Sequence, residues 1–154
     1  MRIIIVSTSI GYLGSGIGGG VEITLNSLVL GLLHKGHDVK VVAPDQSELS
    51  EQCKSAELIC VKGRPQTSWQ HQDYYAVAET SPDSIVNALI DKALSLSNNS
   101  DLIINLSYDL QPISKTLVSP VPIAHLISMG NESYAISNHC LLYTSPSPRD
   151  DYES

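Results

Sequence analysis

Phenylalanine is absent from this 154-residue chain, and tryptophan occurs once. Basic side chains are scarce: nine Lys and Arg stand against sixteen Asp and Glu, for a net charge of −7. No Lys/Arg stripe runs along any segment, which excludes nucleic acid as an expected partner. The three cysteines, Cys53, Cys60 and Cys140, are odd in number and lack the paired spacing of a zinc site. Scattered reduced thiols, with no disulfide framework and no metal, are expected. Long apolar runs are missing too. The longest, Leu25 to Leu33, is broken by Asn26, Ser27 and Gly31. It falls far short of the roughly 20 apolar residues a membrane span needs. The opening Met1-Arg2-Ile3-Ile4-Ile5-Val6 has too short an apolar centre for a signal peptide. The expectation is a cytoplasmic protein with no membrane span.

What remains is aliphatic. Ile, Leu and Val carry the apolar content, in short unbroken runs that suit buried parallel strands. Ile3–Val6, Val39–Ala43, Leu58–Val61, Asp101–Leu106 and Pro122–Ile127 read as five strands. Between the first two, Val21, Leu25, Leu28 and Leu32 form one apolar stripe at helical spacing, which Gly36 is placed to end in a left-handed conformation. Ser81-Pro82 opens a second helix as cap and first residue, with Ile85, Leu89 and Leu96 on one face. A short third helix covers Gln111–Val118. The stretch Gly63–Pro82 has no periodicity and reads as a long polar loop. Alternating strands and helices predict an α/β, Rossmann-like fold: a parallel sheet with helices on both faces. Ligands of such sheets bind beyond the carboxyl ends of the strands.

The end of the chain changes character. Cys140-Leu141-Leu142-Tyr143-Thr144-Ser145-Pro146-Ser147-Pro148-Arg149-Asp150 replaces the aliphatic pattern with Pro, Ser and charge. This run resembles one reading frame of a transposase-based sequencing adapter. The domain is therefore expected to occupy 1–139, incomplete, with 140–154 a non-native tail to be kept out of fold reasoning.

The strongest chemical signal is the loop after the first strand. It holds six glycines, Gly11, Gly14, Gly16, Gly18, Gly19 and Gly20, and runs straight into a helix start. Glycine lets backbone amides approach a ligand closely, and free N–H groups at a helix N-terminus attract anions. Gly14, Gly16 and Gly19 formally satisfy the dinucleotide pattern G-x-G-x-x-G. Two features depart from it. Ser7 to Leu13 intervene between strand and glycines, and the second strand ends in Ala43-Pro44 where an acid is wanted, with Asp45 one step late.

Gly18-Gly19-Gly20-Val21-Glu22 is similar to the opening of the first helix in family 4 of the GT-B glycosyltransferases. Met1–Ser7 resembles that family's first strand, Leu33–Val42 its approach to the second, and Pro122-Ile123-Ala124-His125-Leu126 the strand carrying its histidine. The segment Pro122–Gly130 looks most like members that transfer glucose from UDP-glucose to tetrahydrobiopterin. The resemblance spans about 1–139 and implies the acceptor-side, N-terminal half of a retaining enzyme. Such an enzyme moves a sugar from a nucleotide-diphosphate sugar to an acceptor hydroxyl, without a metal or other cofactor.

Under that resemblance, the Gly18, Gly19 and Gly20 loop would face the donor diphosphate. Glu22 and His125 would be the catalytic residues, Glu22 facing the cleft and His125 contacting the transferred sugar or acceptor, and Tyr108, Asp109 and Ser128 would lie on the acceptor side. The residues also admit plainer readings. His125 fits a satisfied core histidine, Asp109 a helix cap, and Tyr108 packing. Two alternatives to the transferase stand: an NAD(P)-binding oxidoreductase domain, and a non-catalytic binding module of the same fold. Without a donor-binding half, the chain by itself is expected to be inactive.

Overall fold

The computed structural model describes residues 1–66, 73–75 and 81–127. The five aliphatic runs become strands β1 (Arg2–Val6), β2 (Asp38–Pro44), β3 (Glu57–Val61), β4 (Leu102–Asn105) and β5 (Ile123–His125). Helices α1 (Gly20–His34), α2 (Ile85–Ser95) and α3 (Leu110–Ser114) lie between them. All strand pairings are parallel, in the order β3-β2-β1-β4-β5. The central strand β1 pairs Ile5 with Val41 on one side and Ile104 on the other. The α/β Rossmann-like architecture expected from the sequence is the one observed.

Alternation of side chains along β1 builds two cores. Ile3 and Ile5 point to the α1 side, where they meet Val39, Val41, Leu25 and Val29. Ile4 and Val6 point to the α2 side, against Val42, Ile103, Val86, Leu89 and Ile90. Burying each of these side chains contributes about 1.5–3 kcal/mol, so β1 is the strand both layers depend on. No described helix is long and apolar enough to cross a membrane.

Local details differ from the sequence reading. The buried line of α1 is Glu22, Leu25 and Val29, while Val21, Leu28 and Leu32 pack at its flanks. A polar residue on the inner line had hidden that face from a search for apolar residues alone. The helix ends as expected: Gly36 takes φ 80°, its N–H bonds Leu33 O at 2.9 Å, and His37 N bonds Leu32 O at 3.1 Å.

The start of α2 is corrected. Ser84, not Ser81, is the cap, with its hydroxyl accepting from Asn87 N at 3.2 Å. The cause is tertiary. Arg64 N donates to Asp83 O (2.8 Å) and Ile85 N donates to Arg64 O (2.9 Å), which pins the chain entering the helix. Gly63 permits this approach, because a Cβ there would sit 2.7 Å from Ile85 Cα. Pro112 falls inside α3 rather than at its start, and Lys115–Val118 continues as a 3-10 turn.

Candidate functional site

The carboxyl ends of β1 and β4 carry two of the three loops that sequence reasoning singled out, and the third, residues 128–130 after β5, lies outside the described residues. The glycine loop leaves β1 through buried Ser7, Thr8 and Ser9. Leu13, fully buried, anchors its middle: Leu13 N donates to Ser47 Oγ (2.9 Å), and Leu13 O accepts from Glu48 N (3.0 Å). The loop is thereby tied to the segment after β2. Gly14, Gly16 and Gly19 have φ of 94°, 76° and 58°, values that L side chains rarely adopt.

Glu22 sits inside this loop. Its Oε2 accepts from Gly14 N at 2.9 Å, and its Oε1 accepts from Gly18 N at 3.0 Å and from Ser15 Oγ at 3.3 Å. The side chain is 8% exposed and is directed into the loop. Among the three glycines expected to face a diphosphate, Gly18 N is thus held by Glu22, and Gly19 N donates to Gly16 O at 3.2 Å. Gly20 N has no protein acceptor among the described residues. It opens α1, whose cap residue Gly19 offers no side chain.

Beside the loop lies a pocket of about 390 Å³ over the ends of β1, β2 and β3. Tyr12, Pro44, Val61, Pro65 and Ile85 form apolar walls, and Asp45 and Lys62 bring charge to its lining. Gln46, also on the lining, is the one described non-glycine residue with positive φ, at 70°. Sequence reading placed Asp45 only as a late acid and missed Tyr12 and Lys62. Their shared pocket depends on how the loop and the exit of β3 fold together.

A second polar group occupies the β1/β4/β5 ends. Ser9 Oγ donates to Gln66 Oε1, and Gln66 Nε2 donates to Asp109 Oδ2. Asp109 is fully buried and caps α3, accepting from Leu110 N at 2.6 Å. Tyr108 is half-buried next to it. Ser107 is buried, and its hydroxyl has no hydrogen-bond partner among the described residues. Ser128 lies outside the described residues.

His125 closes this group at the end of β5. Asn105 Oδ1 accepts from Ser107 N (3.1 Å), which fixes its amide so that Nδ2 is the donor toward His125 Nδ1 at 3.0 Å. The proton of His125 therefore sits on Nε2, facing Thr116 Oγ1 at 2.8 Å. Burial pushes the imidazole below its ordinary value, favouring the neutral ring. Both ring nitrogens are engaged within the protein, so direct contact with a substrate would require exchanging Thr116 or Asn105. Gln66, Asn105 and Thr116 were not anticipated. Asn105 at the end of an aliphatic strand was a readable signal, whereas Gln66 and Thr116 carry none.

The described residues hold no cluster of three or more His, Cys, Asp or Glu able to bind a metal ion. No family model matches the chain, and no curated protein matches it.

Proposed function

We propose that this chain is the acceptor-side domain of a retaining glycosyltransferase that uses a nucleotide-diphosphate sugar. The observation that carries the reading is the pocket at the carboxyl ends of β1, β2 and β3, walled on one side by the glycine loop through Gly11 and Tyr12. At about 390 Å³ it suits a small molecule. Its position is where open α/β sheets take their ligands. The likeness of Gly18–Glu22, farther along the same loop, to the family's first helix supports a nucleotide-sugar ligand for this end of the sheet.

In this reading the acceptor lies in the pocket, and UDP-glucose is the donor to try first. The bond between the sugar's anomeric carbon and the diphosphate oxygen breaks. The acceptor oxygen bonds to that carbon and passes its proton to an oxygen of the departing diphosphate, which gathers negative charge as the bond breaks. The free N–H of Gly20, at the positive end of α1, is the loop's donor toward that charge. His125, Asn105 and Thr116 are bonded to one another at the end of β5, apart from the pocket's lining, and are not a proton-transfer pair in this reading.

Asp45, directly after β2 and on the same pocket, favours a second reading, in which a dinucleotide's ribose binds there. Against it, Ser7 to Leu13 separate β1 from the glycines, where a dinucleotide turn follows its strand at once. NADH fluorescence titration separates the two: clear micromolar binding would overturn the transferase.

The direct test is release of UDP from UDP-glucose by a protein that carries this domain together with a donor-binding half. Gly20→Ala keeps the N–H and meets open space, so turnover should persist. Gly20→Pro removes only that donor at a first helical position where proline is tolerated, and should lower kcat roughly a hundredfold. Equal rates for the two variants would remove the amide from the mechanism.

A further inference from the structure

We infer that Glu22 is the resident anion of the glycine loop, a built-in occupant that a phosphate must displace to reach the Gly14 and Gly18 amides. The inference is independent of the reaction proposed above.

Four features support it. The Glu22 carboxylate takes two backbone amides and one hydroxyl, the donor set a bound phosphate would use. No Lys, Arg or His among the described residues pairs with it, and its partners among those residues are two N–H dipoles and the Ser15 hydroxyl. It is 8% exposed, which an unpaired carboxylate tolerates only when hydrogen-bonded. Finally, a Cβ on Gly18 would lie 3.0 Å from Glu22 Cγ and 3.1 Å from Oε1. Glycine at 18 therefore makes room for the folded-back side chain.

The consequence is a loop with two anion states. With Glu22 in place, a diphosphate is repelled from the interior of the loop and meets only the Gly20 N–H at its rim. With Glu22 swung out, the Gly14 and Gly18 amides and the Ser15 hydroxyl become available. Because Glu22 belongs to the first turn of α1, the exchange links anion binding to the helix start. Glu22 is on this account a specificity-determining residue, not a catalytic one.

The test is titration of the protein with inorganic pyrophosphate by calorimetry at low salt, comparing wild type with Glu22→Gln and Glu22→Ala. The wild type should bind at millimolar concentration or weaker. Both variants should bind at least tenfold more tightly, and the Gly14 and Gly18 amide proton resonances should move on their titration. Should Glu22→Ala fail to fold, Glu22→Gln decides, since it keeps the side-chain length and one acceptor oxygen while removing the charge and putting an NH2 that cannot accept in place of the second oxygen. Equal affinity in wild type and the folded variants, including no binding in any, would overturn the inference. So would tight binding by the wild type. Pyrophosphate affinity is read without any transfer step, so a failed transferase assay leaves this result to stand or fall by itself.

Discussion

At the scale of single residues, His125 shows how neighbours set a protonation state. Asn105 presents a donor to Nδ1, Thr116 receives Nε2–H, and burial disfavours the imidazolium. Its folded pKa lies below the ordinary value of about 6.5. Between the two values the unfolded chain binds more protons than the folded one, so stability rises with pH. The contribution is complete above about pH 6.5 and is lost as pH falls through the folded value. Thermal melts followed by circular dichroism from pH 8 to pH 5 should show Tm falling on the acid side, and His125→Gln should flatten that fall. A Thr116→Val change leaves Nε2–H without its partner and should cost about 1 kcal/mol in urea unfolding, since a buried donor loses its acceptor. No loss in Thr116→Val would show that the Nε2 bond is not made. Sequence reading identified His125 and Glu22 but not what holds them. A carboxylate followed in sequence by a helix gives no sign that it turns back to bond amides four and eight positions earlier. That geometry exists only once the loop has closed.

At the scale of elements, the sequence carried strand and helix identity well and boundaries less well. Unbroken aliphatic runs have one good solution here, a buried parallel strand, and all five were legible. The start of α2 was not, because Ser81-Pro82 and Ser84 are both acceptable caps by local rules. The contact between Arg64 and the Asp83–Ile85 backbone selects the second. Gly63 is the residue that allows this contact, and it contrasts with Gly31. A methyl at Gly63 would press on backbone atoms, 2.7 Å from Ile85 Cα and 2.9 Å from Ile85 N. Gly63→Ala should therefore destabilise the fold by roughly 1–3 kcal/mol. Gly31 lies inside α1 with open space where a Cβ would go. Gly31→Ala should stabilise by about 0.5–1 kcal/mol, by reducing the freedom of the unfolded chain and improving helix propensity. Urea titrations of the two variants should move the midpoint in opposite directions. Shifts of the same sign would mean that the tight approach of β3's exit to α2 is not a fixed feature.

For the whole molecule, the defining fact is that one sheet separates two cores. Alternating side chains of β1 send Ile3 and Ile5 to one layer and Ile4 and Val6 to the other. The sequence implied helices on both faces, but not the order β3-β2-β1-β4-β5, because strand order is set by crossover connections and not by any one segment's pattern. The architecture makes a quantitative demand. Leu25 in α1 and Leu89 in α2 are both fully buried, on opposite sides of the sheet, and belong to different clusters. Leu25→Ala and Leu89→Ala should each cost about 2–5 kcal/mol, the range for leucine cavities in a close-packed core. Sharing no neighbours, the two losses should add within about 0.5 kcal/mol in the double variant. Because both layers rest on the same central strand, each single variant should still unfold in one transition, with the same urea dependence as the wild type. A coupling well above 1 kcal/mol, or a two-step unfolding curve in either variant, would show that the sheet does not insulate one layer from the other. The glycine loop leaves β1 from between those layers, and its shape depends on a rigid β1. A sheet that transmitted cavities from α2 to α1 would also disturb Glu22 and the amides it holds.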